Sequence, residues 1–270
     1  MKTFRYYKFI LLFPVLFYWN VFTLLSTTNT TEKYTLLINT FNRETILNRH
    51  LQHYVQCYNI NEIIVTYYEK NLSKVNNSKI KYHFFENTTL NNRYNVSGIM
   101  NEAVLILDDD LYAPCNDLDN AFNVWSKNKY SIVGFFPRLS INNTYYGWFN
   151  VLLHQTYNII LTKAAMLNRK YIYEYTNELN PAVKSVVEQY KNCEDIAMQY
   201  LISSHNNSAI FIRGNIFDFG SLGGVSTSLN SHYLERNKCL ELFSNLFNLT
   251  LKNYKLTSFL PSTLFEFGSI

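Results

Sequence analysis

Past the amino-terminal segment, apolar runs of strand length alternate along the chain with stretches whose apolar positions recur every three or four residues. YTLLIN, Tyr34 to Asn39, predicts a buried strand. RETILNRHLQHYVQ, Arg43 to Gln56, predicts a helix with Ile46, Leu47, Leu51 and Tyr54 on one face. Further strands are predicted from Glu62 (EIIVTYY) and over Lys79 to Phe85 (KIKYHFF). A helix is expected over Asn91 to Asn101, leading into the strand AVLIL from Ala103, and another over Asn116 to Ser126. SIVGFFPR (Ser131 to Arg138), YNIILT (Tyr157 to Thr162) and AIFIRG from Ala209 read as later strands. Lys163 to Ser204 reads as mostly helical, and Ser228 to Phe247 as a last helix.

Strands alternating with helices predict an α/β fold with a mostly parallel sheet flanked by helices, because each crossover must cover a sheet face. Continuous apolar strands suit burial on both faces. In such sheets ligands bind beyond the carboxyl ends of the strands. Two polar clusters fall there: NTFNR, Asn39 to Arg43, after the first strand, and Asp108-Asp109-Asp110 after AVLIL. Side-by-side carboxylates repel, so a triplet behind a buried strand asks for a partner. A hard divalent cation shared with a phosphate would supply one, and Arg43 would add charge against a leaving phosphate. The plainer reading of the triplet alone is an acidic turn ahead of the next helix. Its position beside Arg43 favours the metal.

NCEDIAMQYL, Asn192 to Leu201, puts Glu194 and Asp195 in the first turn of a helix. Asn192 reads there as an N-cap and the acids as complements to the helix dipole. Arg93 and Arg236 read as exposed by default. The histidines lack metal-ligand spacing, GSLGG (Gly220 to Gly224) reads as a loop, and neither a nucleophile elbow nor a phosphate loop is present.

Composition adds little for the 270 residues: 47% are hydrophobic, 16% are charged, and the net charge is +4, which suits one domain. No concentrated basic face argues for nucleic acid. The amino terminus changes the picture more. Lys2, Arg5 and Lys8 precede an uncharged apolar run, Phe9 to Leu25. That order predicts a cytoplasmic tail (1–8), a signal-anchor helix (9–25), a short stem (26–33) and a luminal domain (34–270) in a single-pass type II arrangement. A cleaved signal peptide is the alternative; both readings lead into the secretory pathway. Eight N-x-S/T sequons agree with that route, and four cysteines allow three pairings if all are bridged.

The motifs TFNRETILNRHLQHY, VLILDDDLY, DLDNAFNVW, IVGFFPR, NCEDIAMQYL and HYLERNKC stand in the order, and near the spacing, of the exostosin-like glycosyltransferases of family 64. The chain resembles their short, single-domain, exostosin-like 2 class from about Tyr34 onward. The resemblance implies a GT-A type nucleotide-sugar-binding fold. It also implies a retaining, Mn2+-dependent transfer of N-acetylhexosamine (GlcNAc or GalNAc) from a UDP-sugar to a glycan acceptor, in heparan sulfate or linkage-region synthesis in the Golgi or endoplasmic reticulum membrane. It implies nucleotide-sugar contacts at Asn39, Arg43, Arg93, Asp108, Asp109 and Asn192, metal ligation by Asp110, catalytic roles for Asp195 and Arg236, and a Cys193–Cys239 disulfide. A homodimer is admitted. Tyr67-Tyr68-Glu69, Thr88 and Lys163-Ala164-Ala165 depart from the family pattern near the uridine and acceptor regions. Another sugar, a glycolipid acceptor, or a non-catalytic glycan- or partner-binding role are the alternatives.

Overall fold

A computed structural model describes residues 32–220 and 229–256, so the anchor expected over 9–25 lies outside the described residues. Among the described residues no helix is long and apolar enough to cross a membrane. The strands are β1 (Tyr34–Asn39), β2 (Ile60–Tyr67), β3 (Ile80–Phe84), β4 (Ala103–Asp108), β5 (Leu111–Tyr112), β6 (Ile132–Gly134) and β7 (Pro137–Ile141). They continue with β8 (Thr144–Tyr146), β9 (Thr156–Tyr157), β10 (Ile159–Ile160), β11 (Ala164–Asn168), β12 (Ala209–Phe211), β13 (Phe217–Asp218) and β14 (Tyr254–Lys255). The helices are α1 (Glu44–Tyr54), α2 (Cys115–Ser126), α3 (Trp148–His154), α4 (Arg169–Asn177), α5 (Pro181–Tyr190), α6 (Glu194–Ser204) and α7 (Leu229–Phe247).

Seven strands form the main sheet in the order β12-β6-β11-β4-β1-β2-β3. All neighbours are parallel except that β11 runs antiparallel to both β4 and β6. The α/β expectation therefore holds, with one reversed strand in the middle. β1 and β4 are buried on both faces, as their continuous apolar runs require. α1 turns Leu47, His50, Leu51 and Tyr54 inward. Each fully buried large apolar side chain of this kind contributes about 1.5–3 kcal/mol. α6 is buried along nearly its whole length, from Glu194 to Ile202, so its two leading acids lie inside the molecule.

Four expectations need correction. The helix expected over Asn91 to Asn101 is only a 3-10 turn, Leu90–Arg93. Beyond it Gly98 takes φ +71°, and the Met100 N–H donates to the Glu62 carboxylate at 3.2 Å, so tertiary contacts hold the segment irregular. SIVGFFPR divides between two sheets, because Pro137 has no N–H to continue the ladder and begins β7 instead. YNIILT divides at Asn158 into β9 and β10. Finally, Lys163 to Ser204 is not all helical: AAMLN is the buried strand β11. Ala, Met and Leu favour helix by propensity, and the strand exists because β4 and β6 claim both its edges.

Candidate functional site

β1 and β4 lie side by side with Asn39 opposite Asp108, so the turn after β1 faces the aspartate triplet. Arg43 Nη1 contacts Asp109 Oδ1 at 2.8 Å and Asp110 Oδ2 at 2.6 Å. The Thr40 hydroxyl donates to Asp109 Oδ2 at 2.7 Å, and His50 Nδ1 lies 2.9 Å from the Asp109 carbonyl oxygen. Asp109 is thus held from three directions, while Asp110 receives Arg43. Asn39 is turned toward β2: its Oδ1 accepts from the Thr66 hydroxyl at 2.8 Å and the Tyr68 hydroxyl at 3.0 Å. Burial raises all three aspartates above the ordinary carboxylate range, Asp108 to about 6.

The second half of the site is built by a disulfide. Cys193 pairs with Cys239, joining the start of α6 to the middle of α7, and Asp195 Oδ2 meets Arg236 Nη2 at 2.9 Å. Both side chains are buried. Burial alone would raise the Asp195 carboxyl, but the Arg236 guanidinium overrides it and holds Asp195 below its usual range. Arg236 also lies over the Tyr145 ring, 4.8 Å from guanidinium carbon to centroid. Cys57 and Cys115 form a second bridge, a pairing that the sequence left open. The N-cap of α6 is Cys193, at φ 77°, and not Asn192. Asn192 instead accepts from the Cys193 N–H at 2.8 Å and donates to Glu235 at 3.2 Å.

Arg93 joins the two halves. It is buried, against the default expectation, as is Arg236. Its guanidinium contacts Asp108 at 2.6 Å and Glu194 at 3.4 Å. Burial pushes the Glu194 carboxyl up to about 7 despite Arg93. Glu194, expected from the sequence to complement the helix dipole, is buried beside Asp195 and so belongs to the site. Thr40 and Asp218 carry no signal in the sequence, and Lys163 stands out only as a departure from the family pattern; its Nζ lies 2.9 Å from Asp218 Oδ2.

Two features prepare the site for ligands. Buried Arg236 Nε and Nη1 and Arg93 Nε have no partner among the described residues, which leaves donors for an anionic group. Around them Asp108, Asp109, Asp110, Asp218, Glu194 and Asp195 face Arg43, Arg93, Lys163 and Arg236. Carboxylates exceed cations by about the charge of one divalent ion, and an all-oxygen donor set suits a hard cation. The residues therefore fit a metal at the triplet, with Asp110 the expected ligand. Bound there, the ion would supply charge against a leaving phosphate. A cavity of about 1080 Å3 bordered by Phe84, Tyr130 and Tyr173 holds none of these residues.

The glycosyl transferase family 64 domain matches residues 34–260, nearly the whole described chain. The chain belongs to that family. Two of its relatives carry an inositol phosphorylceramide in their names. Glycosylinositol phosphorylceramide mannosyl transferase 1 of Arabidopsis thaliana is 33% identical over 238 residues, covering 78% of this chain and 71% of the relative. Human exostosin-like 2 is 28% identical over 251 residues, covering 82% and 74%. Glucosamine inositolphosphorylceramide transferase 1 of Arabidopsis thaliana is 30% identical over 215 residues, which is 74% of this chain but 28% of that longer protein. The mannosyltransferase PcManGT of Pyrobaculum calidifontis, solved with GDP-Man and Mn2+, aligns with a TM-score of 0.45 and 14% identity over 68% of this chain and 55% of that one, and nothing about the site is carried from it. The expected family 64 resemblance is borne out, and with it the α/β class.

Proposed function

We propose that this family 64 protein is a retaining, Mn2+-dependent transferase that moves N-acetylhexosamine from a UDP-sugar to a glycan acceptor. The carrying observation is the Arg93 bridge, which contacts Asp108 of the triplet and Glu194 beside Asp195 and so makes one site of two clusters. In this reading Asp110 holds the cation, and Asp108, Asp109, Arg43, Arg93, Asn39 and Asn192 bind the nucleotide sugar. The unpartnered donors of Arg236 stabilise negative charge on the departing diphosphate. Asp195, kept ionised by Arg236, stands on the sugar side, where it orients the acceptor hydroxyl or stabilises positive charge on the sugar.

A second reading has its own support: the relative at 33% identity is named as a mannosyl transferase acting on a glycosylinositol phosphorylceramide. Here Tyr68 and Glu69 also close on the turn after β1, Tyr68 through Asn39 and Glu69 through the Asn42 N–H, and so reshape the rim that reads the donor. Under it, the acceptor is a glycolipid and the sugar another hexose. Membrane anchorage in the Golgi or endoplasmic reticulum, and a homodimer, are carried as part of the proposal and rest on sequence alone.

The test is nucleotide release by the purified full chain from UDP-GlcNAc, UDP-GalNAc and GDP-mannose, with Mn2+ or a chelator. Acceptors are a uronic-acid-terminated glycan and an inositol phosphorylceramide. Metal-dependent release from a UDP-N-acetylhexosamine with the glycan supports the first reading. Release from GDP-mannose with the lipid replaces it by the second, and silence across the panel contradicts both.

A further inference from the structure

One ion pair at the triplet is used by neither reading. β11 and β1 flank β4 on its two sides, so residues entering each strand or leaving it approach the triplet from opposite directions. Arg43 arrives from the β1 side. Lys163, in the turn before β11, arrives from the other, and its backbone is tied to the triplet because the Asp108 N–H donates to the Lys163 carbonyl at 2.8 Å. Its side chain is only partly exposed. The ammonium lies 3.8 Å from the centroid of the Phe136 ring and 2.9 Å from Asp218 Oδ2.

Asp218 is itself fixed by the fold. β13 pairs with β5, the two-residue strand directly after the triplet, with Asp218 opposite Leu111. The Phe219 N–H donates to the Asp110 carbonyl at 2.9 Å, and the Gly220 N–H donates to Asp218 Oδ1 at 2.8 Å. The backbone at Gly220 runs so close to both carboxylates that a Cβ there would lie 2.8 Å from Asp110 Oδ2 and 2.9 Å from Asp218 Oδ1. A solvent-facing ion pair needs none of this. The arrangement holds one ammonium beside Asp108 and Asp110 while giving it a carboxylate of its own.

We propose that Lys163 is a donor-positioning residue, held by Asp218 and the Phe136 ring on the β11 side of the triplet, where its ammonium binds the diphosphate of the incoming nucleotide sugar opposite Arg43. This rests on the nucleotide-sugar reading given above and adds a residue to it. An ammonium is a compact point charge suited to phosphate oxygens. Lys163 is not a metal ligand, so it raises affinity for the diphosphate and opposes binding of the cation alone.

The test is calorimetric titration of UDP, in the presence of Mn2+, into the full-length protein and its variants. Lys163→Met is expected to weaken UDP binding about tenfold or more, and Asp218→Asn to weaken it in the same direction. The double variant is expected to be no weaker than Lys163→Met, because Asp218 acts through the lysine. Titration of Mn2+ alone, followed by electron paramagnetic resonance, should show equal or tighter binding in Lys163→Met. Donor KM should rise with little change in kcat. A merely structural pair would lower the unfolding temperature and leave UDP affinity unmoved. Wild-type UDP affinity in Lys163→Met, or additive losses in the double variant, would overturn the proposal and leave the nucleotide-sugar reading standing. Absence of UDP binding by the wild-type protein would overturn both.

Discussion

Asp195 and Glu194 are neighbours with opposite electrostatics, and that difference is testable residue by residue. Asp195 is held ionised by Arg236, so Asp195→Asn removes a charge that the proposed chemistry uses and leaves a buried guanidinium uncompensated. The expected result is a kcat loss on the order of 10^3-fold and a stability loss of roughly 3 kcal/mol. Steady-state kinetics and denaturant unfolding measure the two; near-normal kcat would remove Asp195 from the mechanism. Glu194 shows the reverse. Burial pushes its carboxyl up to about 7 in the folded protein, against about 4.3 in an unfolded chain. The folded state therefore binds this proton more tightly. The stability it contributes is complete below about pH 4.3 and is lost as the pH rises through 7. Unfolding temperatures of the ligand-free protein between pH 5 and 7.5 should fall less steeply in Glu194→Gln than in wild type, and parallel profiles would contradict the assignment. Residue type and strand position were enough to single out the triplet and Arg43, whereas Asp195, Arg93 and Arg236 entered through the family resemblance. Residue type was not enough for these or for Glu194, because an acid in a first helical turn and an arginine in a polar stretch look solvent-exposed until tertiary packing buries them.

At the scale of elements, the Cys193–Cys239 bridge is the device that sets α6 against α7 and hence Asp195 against Arg236. It closes a loop of 46 residues, for which chain entropy gives a stabilisation of about 4 kcal/mol. Cys239→Ser should cost that order of stability in unfolding experiments, and should lower kcat more than UDP affinity. Equal loss of both would mean that the bridge serves the whole fold and not this pair. Gly134 in β6 marks another close approach: a Cβ would lie 2.5 Å from the Ile160 side chain and 2.8 Å from the Ala164 carbonyl oxygen. Gly134→Ala should destabilise by about 1–3 kcal/mol, read from the denaturation midpoint, and no change would show that β10 can give way. Elements with strong periodicity, such as β1, α1, β4 and α2, were legible in the sequence. β11 was not, because Ala164, Ala165, Met166 and Leu167 lack a β-branch and favour helix by propensity until β4 and β6 flank them. The two-residue strands β5 and β13 left no periodic signal, so Asp218 was invisible as a site residue, and Lys163 showed only as a departure from the family pattern.

For the whole molecule, a parallel arrangement around β1 and β4 places the NTFNR turn and the triplet on one rim, and the sequence order alone carried that inference. What it could not carry was the approach of α6 and α7 to the same rim, which depends on a disulfide, a buried arginine and the packing of a nearly fully buried helix. In the proposed function, the aspartate rim binds a nucleotide diphosphate through a divalent cation held by Asp110. The most direct test is calorimetric titration of UDP into the full-length protein and into Asp110→Asn, each with Mn2+ and again after chelation. Binding by the wild type is expected to weaken at least tenfold on chelation, and a folded Asp110→Asn variant is expected to bind weakly in both conditions. Wild-type affinity indifferent to the metal, or an Asp110→Asn variant with full metal-dependent affinity, would contradict it.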